Sequence, residues 1–123
     1  MLAMNLSALT FQSEDPARLA EFYRDKLGLP LRLDQHGAVT PHHEGDLNDI
    51  HLAILPAGVA LGGPVVPVFR VRDLTSAIRQ LCGQGVEQVL KPLTLDEGMT
   101  VAAFKDPDGN VFRLIEFSAA RSH

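Results

Sequence analysis

Tryptophan is absent from the 123 residues, and tyrosine and cysteine occur once each. Each shortage removes a class of function. Six phenylalanines and one tyrosine are too little material for a stacking platform that would read bases or sugars. The lone Cys82 excludes an internal disulfide and a thiolate-rich zinc site. Nothing cationic adjoins it in sequence, so it reads as helix core rather than as a reactive thiol. Positive charge is also short, with 11 Lys and Arg against 15 Asp and Glu and a formal net charge of −4. The basic residues are scattered, which excludes nucleic acid as a partner because a phosphate backbone calls for a clustered basic face. No stretch approaches the roughly 18 consecutive apolar residues of a membrane span. Met1-Leu2-Ala3-Met4 has neither the basic flank nor the apolar run of a secretory signal. The expected location is therefore the cytoplasm, with no membrane partner.

What is present is a globular balance, 46% hydrophobic and 21% charged, in a chain long enough for one domain with a real core. Leu6 to Gln12 alternates and predicts a strand with Leu9 and Phe11 on one side. Asp15-Pro16 supplies an N-cap and a first-turn proline, and Leu19, Phe22, Tyr23 and Leu27 follow at helical spacing until Gly28. Leu29 to Leu33 predicts a second strand, His36-Gly37 its turn, and Ala38 to His43 a weaker third strand containing Pro41. Glu44 to Asn48 is polar and predicts a loop. Asp49 to Leu55 alternates again, Ile50, Leu52 and Ile54 opposing His51, Ala53 and Leu55.

Pro56 to Pro64 has the glycine and proline content of a connector. The pattern then restarts. Val65 to Val71 predicts a strand. Asp73 caps a helix with Leu74, Ala77, Ile78, Leu81 and Cys82 on its apolar face, stopped by Gly83 and Gly85. Val86 to Leu90, Met99 to Lys105 and Asn110 to Phe117 supply three more strands, with Thr94 to Gly98 as a polar loop. Asp106-Pro107-Asp108-Gly109 forms the last turn, its aspartates being turn formers rather than calcium ligands.

The halves align by arithmetic. Asp15 and Asp73 are 58 apart, Gly28 and Gly85 are 57 apart, and Asn48 to Leu52 matches Asn110 to Leu114 at an offset of 62. A repeat of this length is architecture. The predicted fold class is α+β, with two tandem βαβββ modules in a single domain of residues 1–123. Module one takes about 5–56, the connector about 57–64 and module two about 65–118. Leu9, Phe11, Ile50, Leu52, Phe69, Phe112 and Leu114 form the helix-facing core. The other face mixes Thr10, Gln12, His51, Arg70 and Arg113 with Ala8, Val66, Val68, Val111 and Ile115, a composition that suits the lining of a small-molecule cup.

With Asp15 to Leu29 and Phe104 to Asn110 in place, the chain resembles the vicinal oxygen chelate superfamily, which includes glyoxalase I, bleomycin and fosfomycin resistance proteins and extradiol dioxygenases. The resemblance covers nearly the whole chain. It implies that the paired modules form a curved mixed sheet around a cup, with the helices on the outer face, commonly within a homodimer. It also implies a divalent metal in the enzymes of the family, held by the first and last strands of each module. Those positions fall on Ala8 or its neighbour Ser7, His51, Val66 and Arg113, of which only His51 can ligate. A guanidinium in the fourth position repels a divalent ion, and Glu116 turns to the opposite face. No metal or other cofactor is therefore expected. The alternative is a divalent metal in a rearranged set that includes His51 or draws on His42 and His43.

Arg113 reads either as a cationic anchor for a carboxylate, phosphate or enolate oxygen, or as half of a salt bridge to Asp49 or another acidic group. His51 reads as a candidate general base beside it or as a pocket-wall histidine. Thr10 and Gln12 are pocket donors or merely polar strand residues, and Val66, Val68 and Val111 are the apolar wall. The expected function is a metal-free, small-molecule-binding member of the superfamily that takes an anionic or oxygen-rich ligand. The alternative is a lyase, an isomerase or a dioxygenase-type enzyme with His51 as base or as part of the rearranged metal site. A third reading fills the cup with side chains and makes the protein an interaction module.

Overall fold

The computed structural model describes residues 3–34, 42–58, 62–96 and 98–118. The chain divides into two compact units, one taking Ser7–Val66 and the other the chain from Pro67 onward together with the start of the first strand. In the first unit, β1 (Met4–Ser13), α1 (Pro16–Leu27), β2 (Arg32–Asp34), β3 (His42–Leu47) and β4 (Ile50–Pro56) give the strand order β2-β3-β4-β1. In the second, β5 (Val65–Val71), α2 (Leu74–Gly83), β6 (Glu87–Asp96), β7 (Met99–Lys105) and β8 (Val111–Phe117) give β5-β8-β7-β6. Each is a βαβββ module. The first and last strands of a module lie parallel, a pairing that needs the long connection its helix provides. The α+β class and the paired modules thus stand as the sequence implied.

Local chemistry fixes the helix ends. The Asp15 carboxylate accepts from the Arg18 N–H at 3.2 Å, Pro16 occupies the first turn, and Gly28 takes the left-handed conformation at φ 75° that closes α1. The buried stripe is narrower than expected. Ala20 is fully buried with Leu19 and Tyr23 packed beside it, whereas Phe22 and Leu27 are exposed. Phe22 sits one residue off the stripe and meets Tyr23 edge-on at 5.4 Å. On α2, Leu74 and Ala77 are buried and Cys82 is exposed, a correction to its reading as helix core. The α2 stripe ends at Leu81, and Cys82 turns its thiol towards Gln88.

Three strand assignments also change. The second strand begins at Arg32 rather than Leu29, because Pro30 has no N–H to donate and Leu31 N–H turns back to Leu29 C=O. The segment Glu44–Leu47, expected as a loop, is strand β3 paired antiparallel with β4, and the connection shrinks to Asn48-Asp49. Asn48 has φ 56°, the left-handed conformation a two-residue hairpin demands. Thr94 to Asp96, expected within a loop, continues β6 against β7 through register shifts. The expected turn at His36-Gly37, the stretch Ala38–Pro41 and residues 59–61 of the connector lie outside the described residues.

The helix side of each module is its core. Leu52, Ile54 and Leu31 pack with Ala20 in the first, supported by Leu9, Phe11 and Ile50. Phe104, Leu114, Ala102 and Val71 pack with Leu74 and Ala77 in the second, and Phe104 stacks on Phe112 at 5.8 Å. Gly45 lies on the helix side of β3. A Cβ there would stand 2.0 Å from the Pro30 carbonyl oxygen, so the backbone leading into β2 presses directly on the strand and only glycine fits. Glu116 also points to the helix side, where its carboxylate accepts the Leu74 N–H at 2.6 Å.

Candidate functional site

Register assigns residues to the faces away from the helices. In the first unit Asp34 lies opposite His42, Arg32 opposite Glu44, Asp46 opposite His51 and His51 opposite Ala8. With Leu52 and Ile54 committed to α1, alternation puts Asp34, His42, Glu44, Asp46, His51 and Thr10 together on the helix-free face. The side chains meet there. His42 Nε2 is 2.7 Å from Glu44 Oε1 and 3.8 Å from Asp34 Oδ2. His51 Nδ1 is 2.9 Å from Asp46 Oδ1, and its Nε2 is 3.9 Å from Glu44 Oε1. Thr10 is buried. Gln12 turns its amide to the connector, donating to the carbonyls of Gly63 at 3.0 Å and Gly62 at 3.3 Å.

His43 takes the other face, as strand alternation requires. Its Nδ1 is buried with no hydrogen-bond partner among the described residues. Burial, then the positive charges of Arg24 and His42, hold its pKa below the ordinary value. His42 and His43 are therefore not a joint ligand pair.

The second unit's helix-free face is apolar. Arg113 stands opposite both Val68 and Ala103, Val101 stands opposite Ile115, and Val68, Val101, Val111 and Ile115 are all buried. Arg113 is half-buried among them, and desolvation lowers its pKa from the ordinary arginine value. Arg70 is exposed, with its guanidinium 4.7 Å over the Phe117 ring.

The pairing corrects one expected equivalence. His51 pairs with Ala8 and Arg113 with Val68, so the counterpart of Ala8 is Val68 rather than Val66. Neither valine can ligate. Ala8 and His51 on the first unit offer one donor, and Val68 and Arg113 on the second offer none and a fixed cation, so neither pair suits the metal that the family resemblance implies at these positions. A different set does converge: one ligand atom from each of Asp34, His42 and Glu44, all within 4.8 Å of one another. Sequence reasoning passed over Asp34, Glu44 and Asp46. The signal for the last two was present in the spacing of His42, Glu44 and Asp46 ahead of the two-residue turn Asn48-Asp49.

Residues 5–114 match the Glyoxalase/Bleomycin resistance protein/Dioxygenase superfamily. The chain belongs to that superfamily. No curated protein sequence matches it. Among solved structures, a hypothetical protein of Bacillus halodurans C-125 aligns with a TM-score of 0.72 and 14% identity over 98% of this chain and 99% of its own. Methylmalonyl-CoA epimerase of Mycobacterium tuberculosis aligns at 0.70 and 16% over 94% and 89%. A superfamily member of Vibrio splendidus 12B01 aligns at 0.65 and 15% over 94% and 99%. At such identities these similarities speak for the fold alone. No helix among the described residues is long and apolar enough to cross a membrane.

Proposed function

We propose that this member of the superfamily binds a small anionic or oxygen-rich molecule, with Arg113 as its anchor and without a metal at the positions of Ala8, His51, Val68 and Arg113. The observation that carries the proposal is the half-buried Arg113 guanidinium set among buried Val68, Ala103 and Val111. In such low-dielectric surroundings the planar fork makes charge-assisted, bidentate bonds stronger than at an open surface. Val68 and Val111, on the same face as Arg113, are proposed as the apolar contacts. Gln12 acts as a brace for the connector. The proposal includes a homodimer acting in the cytoplasm.

Thermal denaturation with small carboxylates and phosphates, with and without a chelator, tests it. A ligand at about 100 times its Kd adds about 2.7 kcal/mol of stability, enough to raise the midpoint by several degrees in a domain of this size. The rise should survive the chelator and vanish in Arg113→Ala. An equal rise in the variant overturns the proposal.

One contact favours a second reading, that of an isomerase or lyase. The His51 Nδ1–Asp46 Oδ1 contact of 2.9 Å selects the tautomer in which Nε2 accepts a proton, the state of a general base. Such a base would remove a proton next to a carbonyl group and return it. Solvent deuterium would then enter the substrate in the wild type and stop entering in His51→Ala. Exchange at an unchanged rate removes His51 from that role.

A further inference from the structure

We infer that Asp34, His42 and Glu44, on the helix-free face of the first unit, form a binding site for a divalent transition-metal ion or zinc, with His51 as a fourth donor. The inference is independent of the anion site proposed at Arg113, which belongs to the other unit.

The donor set carries the argument first. Two carboxylates and an imidazole, with a second imidazole adjoining, make a mixed nitrogen and oxygen environment that suits zinc, iron, manganese, cobalt or nickel. Calcium and magnesium favour oxygen alone. The geometry is nearly closed. Metal bonds to these donors run about 2.0–2.2 Å, so two ligand atoms on one ion stand no more than about 4.3 Å apart. The His42 contacts to Glu44 and Asp34, at 2.7 and 3.8 Å, and the Glu44 contact to His51, at 3.9 Å, lie inside that limit. The widest separation allowed within the Asp34, His42 and Glu44 set is 4.8 Å. Small side-chain rotations complete the approach.

The scaffold is the second argument. The donors stand on three adjacent strands, Asp34 directly opposite His42, Glu44 two residues further along β3, and His51 on β4. The strand carrying Glu44 is pinned from behind at Gly45 by the Pro30 backbone. The ligand positions are therefore set by backbone pairing rather than by a loop. The Asp34, His42 and Glu44 side chains are 26%, 20% and 19% exposed, which leaves an entry path while removing most competing water. Two carboxylates held this close repel each other unless a positive charge lies between them. Arg32 faces the same way opposite Glu44. A metal ion held by the three side chains would supply that charge.

The full chain, stripped with chelator and dialysed, is titrated with zinc and with manganese against a chromogenic chelator. One ion per chain is expected. His42→Ala and Glu44→Gln should each weaken its affinity by roughly tenfold or more, and His51→Ala by less. His43→Gln, on the opposite face, should leave it unchanged. Circular dichroism confirms that each variant is folded, and the wild type supplies a check that needs no variant. Zinc should move the His42 ring resonances in the NMR spectrum and leave those of His43 in place. Retention of the ion by folded His42→Ala overturns the inference. So does the absence of binding at micromolar free metal, or His42 resonances that zinc leaves in place.

Discussion

Superposed by pairing register, the two modules differ most on the faces away from the helices. Asp46 opposite His51 corresponds to Ala103 opposite Arg113, and Glu44 opposite Ala53 corresponds to Val101 opposite Ile115. On the first strands, Thr10 opposite Ala53 corresponds to Arg70 opposite Ile115. The helix sides match in kind at their centre, Leu52 with Leu114 and Gly45 with Ala102, and part at Ile54, whose counterpart is Glu116. The topology is thus written in the helix-facing residues, where apolar burial drives each helix onto its strands. The helix-free faces have been left to chemistry, charged and donor-rich in the first module, apolar around half-buried Arg113 in the second with Arg70 exposed beside it.

The strongest way to break this contrast is to give the second face the first one's residue. Val101→Glu places a carboxylate where Val101 is 3% exposed, and an unpaired buried charge costs about 3–5 kcal/mol. Urea denaturation should report a loss of that size. A loss under about 1 kcal/mol would mean that the apolar face admits water and that the two faces are less different than their residues suggest.

The reverse exchange has a smaller effect. Glu44→Val removes a partly buried carboxylate from the polar cluster and adds apolar area on a strand. Stability should change by no more than about 1 kcal/mol in either direction, because buried ion pairs and apolar replacements nearly balance. A loss of about 3 kcal/mol would make the polar cluster part of the scaffold rather than a site.

The smallest effect sharpens the difference between neighbours on one strand. His43 is held neutral by burial and by the charges of Arg24 and His42, with its pKa below the ordinary 6.5. The unfolded chain then binds more protons than the native one as pH falls below about 6.5. The stability tied to neutral His43 is fully present above that pH and is lost as pH falls through the lower, native value. Because acid acts on more than one group, the measurement is the difference between wild type and His43→Leu, from urea midpoints at about pH 7.5 and about pH 5. The wild type should lose more stability on acidification. Equal losses would show that His43 meets water.

The parts of the fold legible in sequence were those where one residue type has one physical use. Asp15, Pro16 and Gly28 bounded α1, and Asp73 opened α2 through its bonds to Ser76. Asp106 organised the last turn, accepting from the N–H groups of Asp108 at 2.9 Å and Asn110 at 2.8 Å. Strand β3 was illegible because His43 and Gly45 occupy its helix side, so no apolar alternation announces it. The site suffered for the same reason. His51 and Arg113 stood out against alternating apolar neighbours, whereas Glu44 and Asp46 fell within the expected loop and Asp34 just past the expected second strand. Ala8 lies seven residues before Asp15 and the same count back from Asp73 reaches Val66, whereas pairing register places the counterpart two residues later, at Val68.

The bond between Glu116 and the Leu74 N–H also bears on the order in which the second module can be completed. The first amide of α2 finds its acceptor 42 residues later, near the end of the last strand. During synthesis α2 emerges long before that carboxylate exists, and Asp73 alone tends the helix start through Ser76. The start of α2 is finished only when β8 has slotted between β5 and β7. A chain cut before Glu116 would therefore lose more than a strand's tip, because its second helix would begin on an amide with no carboxylate to receive it.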